Sequence, residues 1–311
     1  MTRKTAELLI AAGTAAQIEK YAAAGADAVL IGESRFGLRL PGDIPEDAIG
    51  DAIARAHALG IQAYVSVQKL FHNEELAALP GYLRLIGRAG ADAAVFSDPA
   101  VLMIAREAAP GLKLHWNGEM TATNAASAAF WGRRGACRAV LAPELNAEEI
   151  ASIKRQAGLD VQVLAHGAAP IYHSERHLLL SYMEHIGREA RIADLGLGGG
   201  RYLVEADRPN EKLPIFEDQS GTFVLSADDV CLLEALPELL AAGVDSLYVE
   251  PLLKTEAYNE AVLAGYRAAL DRWAADPDGF VFDERWLDDI RALQPPEREL
   301  SFGFLYKEQV Y

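Results

Sequence analysis

The sequence predicts an α/β protein, a (β/α)8 barrel with a cap inserted between the seventh strand and its helix. Three observations predict it. One phrase recurs: Ala24-Gly25-Ala26-Asp27-Ala28-Val29-Leu30-Ile31, then Ala89-Gly90-Ala91-Asp92-Ala93-Ala94-Val95-Phe96, then Ala242-Gly243-Val244-Asp245-Ser246-Leu247-Tyr248-Val249. Each phrase is a helix closed by a glycine that tolerates left-handed backbone, followed at once by a short buried strand. Short aliphatic runs also alternate along the chain with stretches of helical period. Finally, a long segment after the seventh run breaks that alternation, which marks an insertion rather than a simple loop.

In order, strands are predicted near Glu7–Ala12, Ala28–Gly32, Gln62–Val67, Ala93–Ser97, Lys113–Asn117, Arg138–Ala142, Val161–Ala165 and Ser246–Glu250. Between them lie apolar patterns of helical period at Pro45–Leu59, Glu74–Arg88, Pro99–Ala109, Thr121–Arg134, Ala147–Gln156 and Ala227–Ala241, with a last helix over Thr255–Ala274. Eight strands alternating with helices within 311 residues are the pattern of a TIM-like barrel, assigned to residues 1–275. The insert, residues 168–225, holds the glycine cluster Gly196 to Gly200 and a polar stretch from Glu205 to Gly221. A C-terminal extension, residues 276–311, opens with the turn Asp276-Pro277-Asp278-Gly279, continues as a short helix stopped by Pro295-Pro296, and ends in an aromatic tail from Ser301 to Tyr311.

Composition narrows the function. The net charge of −16 disfavours extended nucleic-acid contact by this chain alone, because phosphate binding draws on Lys and Arg. Cys137 and Cys231 are the two cysteines, too few for a four-cysteine zinc or iron–sulfur site. Both are expected to be small core residues, Cys231 within a helix. No apolar run approaches the length that spans a bilayer, and Glu7 interrupts the start before a signal-like core, so a cytoplasmic location with no membrane partner is expected.

In a barrel of this type, chemistry gathers where strands run out into loops. Those positions are polar here. They are Glu33, Arg35 and Arg39 after the second strand; Gln68 and His72-Asn73 after the third; Asp98 after the fourth; His115, Asn117 and Glu119 at the fifth; Glu144 at the sixth; His166 at the seventh; and Glu250 and Lys254 at the eighth. Such convergence suits a small-molecule site. Some of these positions have a structural reading as well: Asp98 before Pro99 is a good helix N-cap, as is Asn146. His173 and His177 are spaced to share a helix face, but without a third ligand no metal site is predicted. The glycine cluster neither follows a predicted strand nor ends in Lys-Ser/Thr, so it reads as flexible insert rather than a phosphate cradle. Peptidase signatures such as Gly-x-Ser-x-Gly or His-Glu-x-x-His are missing.

A set of longer motifs carries a family resemblance: Ile31-Gly32-Glu33 with Phe36-Gly37-Leu38-Arg39-Leu40, Phe71-His72-Asn73, Asp98-Pro99-Ala100-Val101-Leu102, and His115-Trp116-Asn117 with Thr121-Ala122-Thr123-Asn124. Trp131-Gly132-Arg133, Val140 to Leu145, Pro214-Ile215-Phe216-Glu217-Asp218 and Lys307 to Tyr311 extend it along essentially the whole chain. On these residues the chain resembles peptidase family U32, and most closely the short paralogue that serves as first subunit in bacterial tRNA hydroxylation.

The resemblance implies a barrel-like fold and hydroxylation without molecular oxygen, of wobble uridine in tRNA with prephenate as hydroxyl donor, of a ribosomal RNA cytidine, or of a ubiquinone precursor. It also implies an iron–sulfur cluster held by four cysteines in full-length members. At the family's first cysteine motifs this chain has Gln162, Leu164, Gly167 and Ala168, then Pro170 in place of the first cysteine, Glu175 for a glycine, His177 for the second cysteine and Leu180 for a serine. The segment from Met183 to Leu225 adds no cysteine. No cofactor is therefore expected in this chain, which is expected to pair with a longer, cysteine-bearing U32 paralogue and to meet tRNA through that complex.

The expected role is to position a ligand, with no catalytic residue assigned. Arg39 and Lys254 would clamp carboxylates of a co-substrate such as prephenate, and Glu33, His115, Asn117, Glu144, His166 and Glu250 would complete the mouth. Two other readings stand beside it: a non-catalytic scaffold, and the peptidase of the family's name.

Overall fold

The structure, a computed structural model, describes residues 5–308. Strands β1 (Glu7–Ala11), β2 (Ala28–Ile31), β3 (Gln62–Val67), β4 (Ala93–Phe96), β5 (Leu114–Asn117), β6 (Ala136–Val140) and β7 (Asp160–Gly167) alternate with helices α1 (Ala15–Ala23), α2 (Ile49–Ala58), α3 (Leu79–Arg88), α4 (Pro99–Ala108), α5 (Ala125–Arg133) and α6 (Ala147–Ala157). The insert comprises β8 (Pro170–Ser174), α7 (Leu178–His185), two 3-10 turns, β9 (Tyr202–Glu205), β10 (Arg208–Asp218) and β11 (Gly221–Leu225). The chain returns through β12 (Asp229–Cys231) and α8 (Leu236–Ala242) to β13 (Ser246–Val249) and α9 (Glu256–Ala275). It then ends with α10 (Arg285–Leu293) and β14 (Leu300–Ser301).

All seven strands from β1 to β7 pair in parallel with their sequence neighbours, and β13 pairs in parallel with both β1 and β7. The result is a closed eight-stranded TIM-like barrel wrapped by helices. The recurring phrase explains part of its register. Asp27, Asp92 and Asp245 each sit just before a strand, and each accepts a backbone N–H from the neighbouring strand: Leu8, Ala63 and Val161 respectively, all at 2.8 Å. The glycine before each aspartate has φ of 104°, 84° and 86°, so a side chain there would be strained.

Ala227–Ala241, expected as one helix, is instead β12 followed by the short α8. Cys231 is therefore on a strand, buried as expected, while Cys137 lies exposed on β6 and is not a core residue. The apolar run Val230–Leu233 forms a strand start because partners distant in sequence pair with it: β7 antiparallel on one side and β14 parallel on the other. That second pairing ties the extension to the barrel. Gln309–Tyr311, the end of the predicted aromatic tail, lie outside the described residues.

The insert forms a separate four-stranded sheet in the order β8-β11-β10-β9. His173 and His177 do not share a helix face, because His173 lies on β8 and stacks on Phe223 at 4.4 Å, whereas His177 precedes α7. The start of α7 has no side-chain cap of its own. The fully buried Glu217 of β10 supplies one, accepting the N–H groups of Leu179 and Leu180 at 2.5 and 3.1 Å. Phe216, Phe223 and Leu225 then seat the cap on the barrel top against Leu38, Leu252 and Leu253. Among the described residues no helix is long and apolar enough to cross a membrane.

Candidate functional site

The barrel lumen is polar at two levels. Toward the strand starts, Glu7 of β1 accepts from Arg138 of β6 at 2.6 Å and from Ser246 of β13 at 2.8 Å, and Tyr64 of β3 donates to it as well. His115 packs edge-on to Tyr64 at 4.7 Å. Side chains from non-adjacent strands meet only across the lumen, so this is an interior layer. His115 therefore belongs inside the barrel and not at its mouth. Burial, with Arg138 and Lys113 nearby, holds its imidazole well below the ordinary range, in the neutral form.

At the opposite end, the loops after β2 and β5 and the end of β13 bring Arg39, Glu119 and Glu250 together. Arg39 Nη2 donates to Glu119 Oε2 at 2.6 Å, and Arg39 Nε lies 3.9 Å from Glu250 Oε2. The three side chains are 12%, 11% and 2% exposed. Asn117 contributes indirectly, its Oδ1 accepting the Glu119 N–H at 3.1 Å and so fixing that loop. Arg39 has φ of 50°, unusual for a residue with a side chain. Such a backbone persists only when its surroundings hold it, and here the guanidinium's carboxylate partners do so.

Burial pushes the Glu250 carboxyl up to about 7; Arg39 opposes this and Glu119 adds to it. Burial also works against charge on Arg39, but Glu119 and Glu250 outweigh it and keep the guanidinium firmly charged. Gly167, with φ of 103°, lets the seventh strand pass this point: a Cβ there would lie 2.4 Å from the Glu250 carbonyl oxygen. Glu33 stands at the second strand's end with Arg35 3.7 Å away, and burial raises its carboxyl as well. The cap contacts Leu38 and Leu252, the chain neighbours of this cluster, so it overhangs the mouth at Arg39 and Glu250.

Other expected mouth residues lie elsewhere. His166 is fully buried and faces α9, where its Nε2 meets Tyr258 Oη at 2.8 Å and its ring packs on Tyr266. Burial drives its imidazole down to about 3. Lys254 is enclosed with Asp229, Gln294 and Arg298, paired to Asp229 and 3.2 Å from Gln294 Oε1. It clasps the C-terminal extension and has no exposed face to offer a ligand. Glu144 lies exposed in the loop after β6. Glu119 is the mouth residue that the expected ligand set omitted, although its place two residues past Asn117 pointed to it.

A four-thiolate iron–sulfur cluster does not fit these residues. Pro170 opens β8 and His177 precedes α7, while the two thiols lie on β6 and β12, outside the cap. Among the described residues no group of three or more His, Cys, Asp or Glu side chains is arranged to hold a metal ion.

Comparison with known proteins agrees with this architecture. The profile of Peptidase family U32 matches residues 13–310. The tRNA hydroxylation protein P2 of Bacillus subtilis (strain 168) is 41% identical over 99% of this chain and 100% of its own length. The tRNA hydroxylation protein P1 of the same organism is 30% identical over 99% of this chain but 74% of its own, so P2 is the relative of matching length and P1 the longer. A solved structure, that of the U32 peptidase Mk0906, shares the fold with a TM-score of 0.50 and 14% identity over 80% of this chain and 94% of that one. Matched by the family profile from its first barrel strand's end to its C-terminal extension, and by tRNA hydroxylation proteins along its length, this chain belongs to peptidase family U32.

Proposed function

We propose that this chain is a subunit of a tRNA-hydroxylating assembly whose barrel mouth holds a small carboxylate-bearing co-substrate. The observation that carries the reading is the end-to-end match to a relative named for tRNA hydroxylation. The mouth supplies the chemistry. Arg39 is a buried cation whose pairing with Glu119 can be exchanged for a ligand carboxylate, with Glu250 and Glu33 beside it. Prephenate, the donor that the family resemblance implies, is the co-substrate we assign. Because Glu250 titrates near neutrality, it can take up a proton when an anion arrives and so relieve crowding of negative charge.

A longer, cysteine-bearing U32 paralogue would supply the redox centre, and tRNA would be met through that partner, since a chain at −16 has little to offer phosphate. The assembly would work in the cytoplasm. The scaffold reading is favoured by one observation, that Lys254 and His166 are committed to the fold.

Nucleoside mass spectrometry of bulk tRNA tests both readings. A strain lacking the gene should lose 5-hydroxyuridine derivatives, and the wild-type gene should restore them while Arg39→Met should not. Restoration by Arg39→Met would make the chain a scaffold. Unchanged tRNA on deletion would remove it from tRNA hydroxylation.

A further inference from the structure

Barrel helices run antiparallel to their strands, so each closes at the end away from Arg39, and the cations gathered there fall into two groups. Those of α1 and α2 are matched by acids: Lys20 by Glu256, Arg55 by Glu19 and His57 by Asp92. Those of α3, α4 and α5 are not. Arg84, Arg88, Arg106, Lys113, Arg133 and Arg134 are all exposed, and none meets a carboxylate among the described residues.

Contacts bring these cations onto one face. A Cβ on Gly87 would lie 3.1 Å from the Ala109 Cβ, so the end of α3 abuts that of α4. The Arg106 guanidinium donates to the Arg134 carbonyl, joining α4 to α5. Lys113 immediately precedes β5, whose Leu114 pairs with Ala136, and so stands level with Gly135 beside Arg134.

The acids of the same stretch are otherwise engaged. Asp92 receives the Ala63 N–H, Asp98 caps α4 and Glu119 holds Arg39, which leaves Glu107. A helix macrodipole welcomes a cation at its C-terminus, but α5 ends in two and Lys113 lies beyond any helix. Arg134 and Arg106 are also ordered by uncharged groups. The Arg134 guanidinium sits 3.5 Å from the centre of the Phe130 ring, and Arg106 rests on a carbonyl. Such partners hold a cation in place without cancelling its charge. Residues 84–134 are +2 in a chain of −16, so the total conceals a local reversal of sign. That total opposes long-range attraction of a polyanion, not its contact with this face. Spread over three helix ends, the cations suit a row of phosphates, and Phe130, 39% exposed, adds an aromatic surface of the kind that bases pack on.

We propose that the ends of α3, α4 and α5 form an RNA-binding face, through which this chain grips the phosphate backbone directly on the side opposite the barrel mouth. The inference rests on the tRNA reading above and adds to it a contact that this subunit makes itself.

The test titrates the full-length chain into a fluorescein-labelled tRNA transcript and follows anisotropy at several salt concentrations. One variant carries Arg88→Glu and Arg133→Glu, at two residues that bond no other side chain among the described residues; the other carries Arg188→Glu and Lys212→Glu on the cap, which lower the net charge equally. The wild type should bind. The first variant should weaken binding at least about tenfold and flatten the slope of log K against log salt by about 1.5, while the cap variant changes affinity less than about threefold. Melting temperatures equal to the wild type's show an intact fold, and Arg88→Gln with Arg133→Gln should give a smaller loss in the same direction. Equal weakening by both charge-reversed variants would reduce the effect to overall charge and overturn the proposal, as would a wild type that does not bind. Loss of binding to a longer U32 chain, with RNA binding intact, would assign the face to a protein instead. The tRNA reading fails separately, through unchanged nucleosides on deletion of the gene.

Discussion

Glu250→Gln should stabilise the protein in alkaline solution and leave it unchanged in acid. Glutamine keeps the shape of the side chain and an acceptor for the Leu252 N–H, which Glu250 Oε1 receives at 3.3 Å, but it cannot ionise. The wild-type carboxyl is raised from 4.5 to about 7 because burial strips the carboxylate of water; Arg39, 3.9 Å away, opposes the rise and the negative charge of Glu119 adds to it. Below about pH 4.5 the group is protonated in both folded and unfolded chains, and the folded state bears no charge penalty. As pH rises from there, the unfolded chain releases its proton while the folded one retains it, so stability falls until the folded group has also ionised. Each tenfold difference in acidity is worth about 1.4 kcal/mol, so the gap between 4.5 and about 7 removes about 3 kcal/mol. Urea unfolding of both proteins between about pH 5 and about pH 9 measures this. The curves should differ by under about 1 kcal/mol at the acid end and separate by about 3 kcal/mol in favour of the variant at the alkaline end. A wild type that is the more stable protein at high pH would show that attraction to Arg39 outweighs burial and that Glu250 is an ordinary ion-pair carboxylate.

Two further outcomes follow from buried charges. Arg298→Ala removes the guanidinium that meets Asp229 at 2.7 and 3.1 Å and also serves the carbonyls of Ser226 and Asp228. Stranding part of a buried carboxylate's partners should cost about 3–5 kcal/mol in chemical denaturation, and a loss under about 1 kcal/mol would mean that Lys254 and Gln294 suffice. Glu217→Ala leaves the Leu179 and Leu180 N–H groups without their acceptor, a local loss of about 1–3 kcal/mol, so limited proteolysis should cut near α7 before the barrel unfolds. Cleavage at the wild-type rate would assign the order of the cap to its apolar seat instead.

Most of the eight barrel strands were legible as compact aliphatic runs behind a turn signal, and the glycine–aspartate phrase marked three junctions outright. Strand β12 was not, because three residues have no periodicity to display and their partners come from β7 and from the extension some seventy residues later. Proximity to a strand end brought Arg39, Asn117, Glu119 and Glu250 into view, and the structure places these four together. The same rule misplaced His166 because the pairing of β7 with β13 shifts between Tyr248 and Val249, setting His166 against Val249 on the side that faces α9. Lys254 was opaque for another reason. Its partners Asp229 and Gln294 lie on segments whose approach no local pattern announces.

The aspartates that grip neighbouring strands divide the barrel into quarters. They join β1 to β2, β3 to β4, and β7 to β13, always an even barrel strand reaching back to the odd one before it. The remaining pair, β5 and β6, keeps the glycine but not the carboxylate. Gly135 there has φ of 99°, and Cys137 occupies the aspartate's place, its Sγ 3.5 Å from the Leu114 carbonyl oxygen on β5. A thiol gives a weaker hydrogen bond than a carboxylate, and it bonds a carbonyl where the aspartates bond an N–H. The ring thus has one soft joint among four otherwise alike, and local opening should begin at the seam between β5 and β6, directly below the Asn117–Glu119 loop that presents the anion partner of Arg39.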